Sequence, residues 1–297
     1  MIGPHSLRHA APLVGFLVIA AGLVGCSDAE PPARIDGLSI VVGARSNMPA
    51  GNLRGVSVDR AEAAVHWEAL MSVVVADGAP FQHLEAGRLP VNDKNEVAAE
   101  QDRRRNLGVL ARAVQSARAK TAETDLLAAL DRAASGISNA DQPRTIVVLD
   151  SGLSTAGALD FTQGGVLQAD PQGLAGDLAE AGQLPDLSGI EVILQGIGDT
   201  APPQPRLGQR ERDNLVAIWT AIVEAAGAAD VVVEKTPVEG QPSDDLPPVT
   251  PVPVPDGTRC TVETMELDGG TWSSSLRATS SSTRMRRWLC FVLSPTA

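Results

Sequence analysis

Apolar runs alternate with segments of helical periodicity through the middle of the chain. Short runs rich in Val, Ile and Leu predict buried strands at residues 38–42, 72–76, 145–149, 192–196 and 231–233. Residues 81–85 fit a short edge strand that returns antiparallel. Helical spacing of apolar residues predicts helices near 59–70, 96–119, 125–134, 174–181 and 209–226. Because this alternation is typical of a mainly parallel sheet covered on both faces, we predict a three-layer, doubly wound α/β domain over residues 35–236.

The first residues of the chain do not belong to that pattern. Residues 10–24 form a nearly uninterrupted apolar run after a basic start. The run is too short to cross a hydrocarbon core comfortably, which takes about 20 residues. It ends in Leu23-Val24-Gly25-Cys26, and a polar stretch containing Pro follows. We therefore predict a signal peptide over residues 1–25 and a tether over residues 26–34.

The C-terminal part changes composition twice. Residues 237–257 are rich in Pro, Gly and Asp, which predicts an extended, polyproline-like spacer of about 3 Å per residue. Residues 258–297 form a tail in which Ser and Arg runs appear abruptly after about Gly270. Two interpretations of the tail stay open, a native disordered segment and the product of a shifted reading frame. Cys260 and Cys290 lie in it, and outside the cytoplasm they could form a disulfide.

Charge and composition exclude several functions. The formal net charge is -12, which argues against binding nucleic acid and against adhesion to anionic lipid. Aromatic residues make up only 3% of the chain and there is no Tyr, which disfavours a sugar-binding cleft. Any contact with a membrane would therefore have to come from an attached lipid.

The end of the apolar run resembles a bacterial lipobox, Leu-x-Gly-Cys. That resemblance implies cleavage between Gly25 and Cys26, with a diacylglyceryl thioether on the Cys26 sulfur. The mature protein would then be extracytoplasmic and held to the cell membrane by membrane lipid through Cys26, because several buried acyl chains make a lasting anchor. An ordinary signal peptide or a buried anchor with a chance Cys stays open as the alternative.

The domain itself resembles a von Willebrand factor A-type domain. The stretches that carry the resemblance are GLSIVVGARSN, SVVVADGAPFQHLEAGRLP, TAETDLLAALDRA, TIVVLDSG and EVILQGIGD. In that family an adhesion site at the carboxyl ends of the strands holds Mg2+ through Asp-x-Ser-x-Ser, a Thr and an Asp. The resemblance implies Ser46, Thr124 (or Thr121) and Asp150 as candidate ligands.

The first of these motifs departs from the family pattern. Gly43 stands where the key Asp belongs, and Arg45 places a positive charge nearby. Losing a carboxylate and adding a cation should weaken binding of a divalent ion. We therefore expect a retained scaffold without a cofactor, with a divalent metal left open.

A second resemblance is to lipoproteins of high-GC Gram-positive bacteria in which such a domain precedes an OmpA-like peptidoglycan-binding domain. The SNMP loop and the stretches DSGLSTAGALDF, GIGDTAPPQP and PPVTPVPVP carry it. It implies a non-catalytic binding or scaffolding role in the cell envelope, with an envelope protein or peptidoglycan as partner. About 40 residues follow the predicted spacer, too few for a complete OmpA-like domain.

Two other functions stay open as alternatives. A solute-binding lipoprotein of a transporter would need a two-lobed cleft. A serine hydrolase would need Ser154, in a near match to the nucleophile elbow, with His66 or His83 as its base.

The loops at the carboxyl ends of the strands form the face on which we expect function to lie. They are residues 43–49, 120–125, 150–155 and 199–205. Asp77, Asp150 and Asp199 each follow a predicted strand and could share the ligand-binding crevice of such a sheet. Carboxylates in these places also serve commonly in turns and helix caps.

Overall fold

A computed structural model of the chain describes residues 31–92, 94–235, 237–238, 240–242 and 245–254. It also describes the backbone of two short antiparallel strands, Thr261–Glu263 and Ser275–Arg277. The predicted signal cleavage and lipidation at Gly25 and Cys26 lie outside the described residues, as does the disulfide between Cys260 and Cys290. These predictions, the domain bounds and the origin of the tail stay predictions.

One six-stranded sheet organises the residues described between 37 and 234. Its strands are β1 (Gly37–Gly43), β2 (Leu70–Ala76), β3 (Phe81–Gly87), β4 (Arg144–Leu149), β5 (Ile190–Gln195) and β6 (Asp230–Glu234). They lie in the order β3-β2-β1-β4-β5-β6. Every neighbouring pair is parallel except β2 and β3. The antiparallel edge strand predicted at residues 81–85 is therefore confirmed.

Helices cover both faces of this sheet. They are α1 (Val56–His66), α2 (Glu96–Ser116), α3 (Leu126–Gly136), α4 (Pro171–Glu180) and α5 (Gln209–Ala225). Val41 faces a core built with α3, α4 and α5, whereas its neighbours Ile40 and Val42 face a second core built with α1 and α2. Successive strand residues point to opposite faces, so each central strand supplies apolar side chains to both cores. The predicted three-layer α/β class is confirmed.

Local capping sets where several helices begin. The Asp170 carboxylate accepts a hydrogen bond from the Gly173 N–H at 2.7 Å, and Pro171 occupies the first turn. α4 therefore begins before the 174–181 segment that apolar spacing alone predicts. Asp125 caps α3 in the same way, accepting from the Ala128 N–H at 3.0 Å.

A single sheet with its helices contains all the strands and helices described between residues 37 and 234. In this part of the chain there is no second lobe of the kind that a solute-binding lipoprotein needs. Among the described residues, no helix combines the length and the apolar character that a membrane crossing requires.

An ion pair joins α1 to the start of β5. Arg60 donates to both carboxylate oxygens of Glu191, at 2.6 and 2.9 Å, and Thr145 Oγ1 donates to one of them at 3.0 Å. The hydrogen bonds from Arg60 lower the pKa of Glu191 below its ordinary value; partial burial opposes this, and the charge of Arg60 and the Thr145 bond add to it. The pair therefore stabilises the fold when Glu191 is ionised.

We predict that Glu191→Gln lowers the free energy of unfolding by about 1 kcal/mol at neutral pH. Because the pKa of Glu191 is lower in the folded state, its contribution is complete above the unfolded-state pKa of about 4.3 and is lost as the pH falls through the lowered value. Urea unfolding of both proteins across that range measures the difference. The control is Glu62→Gln at an exposed position of α1, the helix that carries Arg60. A difference in unfolding free energy between wild type and Glu191→Gln that stays constant into strong acid would contradict the prediction.

Candidate functional site

The carboxyl ends of the parallel strands bring the four predicted loops together. Backbone hydrogen bonds of 2.8–3.0 Å join them, from Ala119 N to Ala44 O, from Thr155 N to Thr124 O and from Ala201 N to Asn47 O. The loop after β1 thus has a neighbour on each side: the segment that leads into α3 and the loop after β5. These loops form one continuous face, as the sequence predicts.

A buried ion pair occupies the middle of this face. Arg45 comes from the loop after β1, Asp150 follows the central strand β4, and both side chains are 0% exposed. Arg45 Nη2 donates to the two carboxylate oxygens of Asp150 at 3.0 and 2.9 Å. It also lies 3.2 Å from Ser151 Oγ, and Nη1 donates to the Leu153 carbonyl at 3.2 Å. The guanidinium thus neutralises the buried carboxylate and meets oxygen atoms of Asp150, Ser151 and Leu153, while its buried Nε has no hydrogen-bond partner among the described residues.

Gly43 leaves the room that this pair requires. A Cβ at residue 43 would collide with Asp150 Oδ2 and would lie 2.5 Å from Met48 Sδ. An aspartate at residue 43, as in the adhesion-site motif, is therefore incompatible with the observed position of the Asp150 carboxylate. The missing carboxylate and the added guanidinium are parts of one arrangement.

The turn after β4 fixes the carboxylate from its other side. Asp150 Oδ1 accepts a hydrogen bond from the Gly152 N–H at 2.7 Å. Gly152 has a φ of 74°, a region that favours glycine. Its carbonyl accepts from Nε1 of the fully buried Trp219 at 2.8 Å. Asp150 is thus held by the backbone and needs no movement to meet Arg45.

The other candidate ligands lie in different surroundings. Ser46 donates to the Pro247 carbonyl at 3.1 Å and is partly exposed, whereas its neighbours Arg45 and Asn47 are both buried. Thr124 is also fully buried, and neither its Oγ1 nor the side-chain amide of Asn47 has a hydrogen-bond partner in the described part of the chain. The motif spacing Asp-x-Ser-x-Ser, counted from Gly43, places its two serine positions at Arg45 and Asn47 and not at Ser46.

The remaining residues at the strand ends tie loops together. Asp77 accepts from the backbone N–H groups of Ala79 and Lys120, and Thr121 Oγ1 accepts from Gly78 N. Asp199 pairs with Arg212 at 2.8 Å. Within the described residues, no group of three or more His, Cys, Asp or Glu side chains is placed to hold a metal ion. At the position of an adhesion site, Gly43 supplies no carboxylate and the Arg45 guanidinium lies against both Asp150 oxygens, and this set of groups does not fit a divalent cation.

Ser154 has a structural partner. Its Oγ accepts a hydrogen bond from Leu126 N at 3.1 Å, at the first turn of α3, and the residue is 1% exposed. His83 Nε2 lies 3.0 Å from Ser116 Oγ, and the His66 ring packs edge-on against Trp67. The hydrogen bonds described for Ser154 and His83 therefore do not join them as nucleophile and base.

A Pro-rich segment covers part of this face. We call its described residues, 237–238, 240–242 and 245–254, the strap. Val238, Val249 and Val252 are 2%, 6% and 0% exposed. Asp199 accepts from Val238 N at 2.9 Å, and the Gln204 side chain forms two hydrogen bonds with the backbone of Val252. The sequence predicts a spacer, and the described part of it has no helix or strand but packs on the domain.

The strand order, the single antiparallel edge and the loop face around Asp150 together define the fold class. The chain has a von Willebrand A-like fold. No protein-family model matches the sequence, and no curated protein matches it. The fold class therefore rests on the order of strands and layers in this A-like domain.

Solved structures with partial similarity come from bacteria and from a mussel. An aerotolerance-related membrane protein from Bacteroides fragilis is 13% identical, with a TM-score of 0.34, and the match covers 67% of this chain and 91% of that one. BatB from Bacteroides thetaiotaomicron is 14% identical at a TM-score of 0.32, covering 67% and 89%. Proximal thread matrix protein 1 from the mussel byssus is 12% identical at 0.33, covering 65% and 47%.

We predict strong coupling between Arg45 and Asp150 in a double-mutant cycle. Asp150→Asn leaves a buried guanidinium without its counter-charge, which should cost about 3–5 kcal/mol of unfolding free energy, and Arg45→Met should cost a similar amount. Urea unfolding of the two single variants and the double variant measures the coupling, and the double variant should lose far less than the sum of both. Costs that add to within about 0.5 kcal/mol would contradict the prediction.

Proposed function

We propose that this chain is a lipid-anchored protein of the cell envelope whose A-like domain serves in binding or scaffolding, without catalysis and without a metal ion. The observation that supports the metal-independent part is the Arg45–Asp150 pair. A protein side chain there supplies the positive charge that Mg2+ would supply in an adhesion site.

Binding of a divalent ion would have to displace this pair. Mg2+ requires near-octahedral oxygen ligands at about 2.0–2.1 Å. The Asp150 oxygens already accept hydrogen bonds from Arg45 and Gly152. A metal would also meet a like charge fully removed from water, which is costly in a buried site. The loops are thus held in one arrangement whatever the concentration of divalent ions outside the cell.

The lipid anchor in this proposal depends on the lipobox-like sequence at Cys26. A net charge of -12 opposes direct attraction to anionic lipid, so attachment by acyl chains is consistent with the composition. The second sequence resemblance supports an envelope protein or peptidoglycan as the partner. The single sheet between residues 37 and 234 disfavours a two-lobed solute receptor of a transporter. The hydrogen bond from Leu126 N to Ser154 Oγ disfavours a serine hydrolase, because it gives Ser154 a structural role.

We predict that the thermal midpoint of the mature protein does not rise in about 10 mM Mg2+ or Mn2+. Differential scanning calorimetry with each ion and with chelator measures this. As a matched comparison, Arg45→Ser removes the guanidinium and provides a hydroxyl at the serine position of the family motif, and Gly43 is kept because a Cβ there would collide with Asp150. Its midpoint should increase with added ion. A saturable increase in the wild-type protein would contradict a metal-independent site.

For the anchor, we predict that Cys26→Ser releases the protein from the membrane fraction and abolishes incorporation of labelled palmitate. The serine hydroxyl is too weak a nucleophile to replace the thiolate in accepting the lipid. Fractionation of cells and mass spectrometry of the mature N-terminus measure the two effects. Ser27→Ala is the matched control and should remain acylated. An unmodified N-terminus in the wild-type protein would exclude the anchor while leaving the metal-independent site untouched.

A further inference from the structure

We propose that the loop after β5 carries a peptide-binding site for an extended chain that alternates Pro and Val, and that residues 247–254 are its intrachain ligand. The proposal goes beyond the envelope role above and does not depend on it.

The Gln204 side chain recognises the backbone of this ligand. Its Oε1 accepts from Val252 N at 2.7 Å, and its Nε2 donates to Val252 O at 3.0 Å. Gln204 is 3% exposed, so both bonds form away from water. A side-chain amide that pairs with both polar groups of one residue imitates the edge of a strand and selects an extended backbone.

Burial of alternate side chains supplies the specificity. Val252 is fully buried in the same core that holds Trp219, and Val254 packs partly against that core. Pro253 between them is exposed. Prolines on both sides of Val252 restrict the free peptide to extended conformations, so ordering it costs little entropy. Because proline has no N–H group, Pro251 and Pro253 cannot donate. The Val252 N–H between them is the donor that meets Gln204.

The site extends beyond Gln204 to the first loop. Ser46 Oγ donates to Pro247 O at 3.1 Å, five residues before Val252 along the ligand. Gln204 is positioned by its own turn, through a bond from its N–H to Ala201 O, and Ala201 N donates to Asn47 O. The two anchor points therefore belong to loops that are already joined, and the site is preorganised.

The intrachain ligand competes with any free peptide. Because it is tethered, it acts at an effective concentration in the millimolar range. A free peptide should therefore bind the wild-type chain weakly and should bind well only when the tethered segment is weakened. Displacement would uncover the part of the loop face on which the strap lies.

The test uses the full mature chain and a fluorescent peptide with the sequence PPVTPVPVP, measured by anisotropy. Val252→Asp places a charge in the buried position and weakens the tethered ligand, so the peptide should bind at least tenfold more tightly than to wild type. The matched variant Pro253→Asp adds the same charge at an exposed position and should bind like wild type. Gln204→Ala combined with Val252→Asp should lose the gain.

A modified peptide separates backbone pairing from simple apolar contact. The same sequence N-methylated at the valine that matches Val252 cannot donate to Gln204 and should bind at least tenfold more weakly. Equal binding of both peptides, or equal binding of the plain peptide to wild type and Val252→Asp, would overturn the proposal. If Val252→Asp does not fold, hydrogen exchange at Val252 N–H of wild type decides. Excess plain peptide must accelerate that exchange, and unchanged exchange overturns the proposal.

Discussion

A carboxylate removed from water at the end of the central strand must be neutralised, and the loop face of this domain is built around that requirement. Asp150 is fully buried and anchored by the turn that follows it, so its charge cannot escape into solvent. An unpaired buried carboxylate would cost several kcal/mol. Arg45 meets the requirement from a different loop, and the two loops are thereby held together.

Other features of the face follow from this choice of cation. With Asp150 held toward Arg45, a Cβ at residue 43 would collide with the Asp150 carboxylate and with Met48 Sδ, so glycine is required there. A guanidinium also directs its donors in fixed directions, toward the Leu153 carbonyl as well as toward Asp150. Arg45 thus both neutralises Asp150 and holds the two loops together. Because the positive charge comes from a side chain, the strap can lie across the face without having to leave a path for a metal ion.

The sequence predicted the fold well because its strongest signals are local. Runs such as residues 145–149 are mostly β-branched and apolar, which is what burial on both faces of a parallel sheet requires. The antiparallel edge strand followed from the Asp77-Gly78 turn. The loop face was predictable as well, because the carboxyl ends of parallel strands share one edge.

The directions of side chains within the loops are harder to predict from the sequence. Gly43 and Arg45 were recognised as departures from the family motif, but a sequence does not show that Arg45 turns inward to Asp150 while Ser46 turns toward Pro247. The sequence does not predict that the strap packs on the domain, because alternating Pro and Val has the same pattern whether the valines are buried or exposed. The partner of Val252 is Gln204, 48 residues earlier, and no local periodicity reveals such a pair.

The central claim is that a guanidinium stands at the Asp150 carboxylate in place of a divalent cation. A crystal structure of the mature protein grown in a manganese salt, with an anomalous difference map collected for that metal, tests this claim most directly. We expect planar density for Arg45 within hydrogen-bonding distance of both Asp150 oxygens and no anomalous peak beside them. A manganese peak bound to Asp150, with Arg45 turned away, would contradict the account.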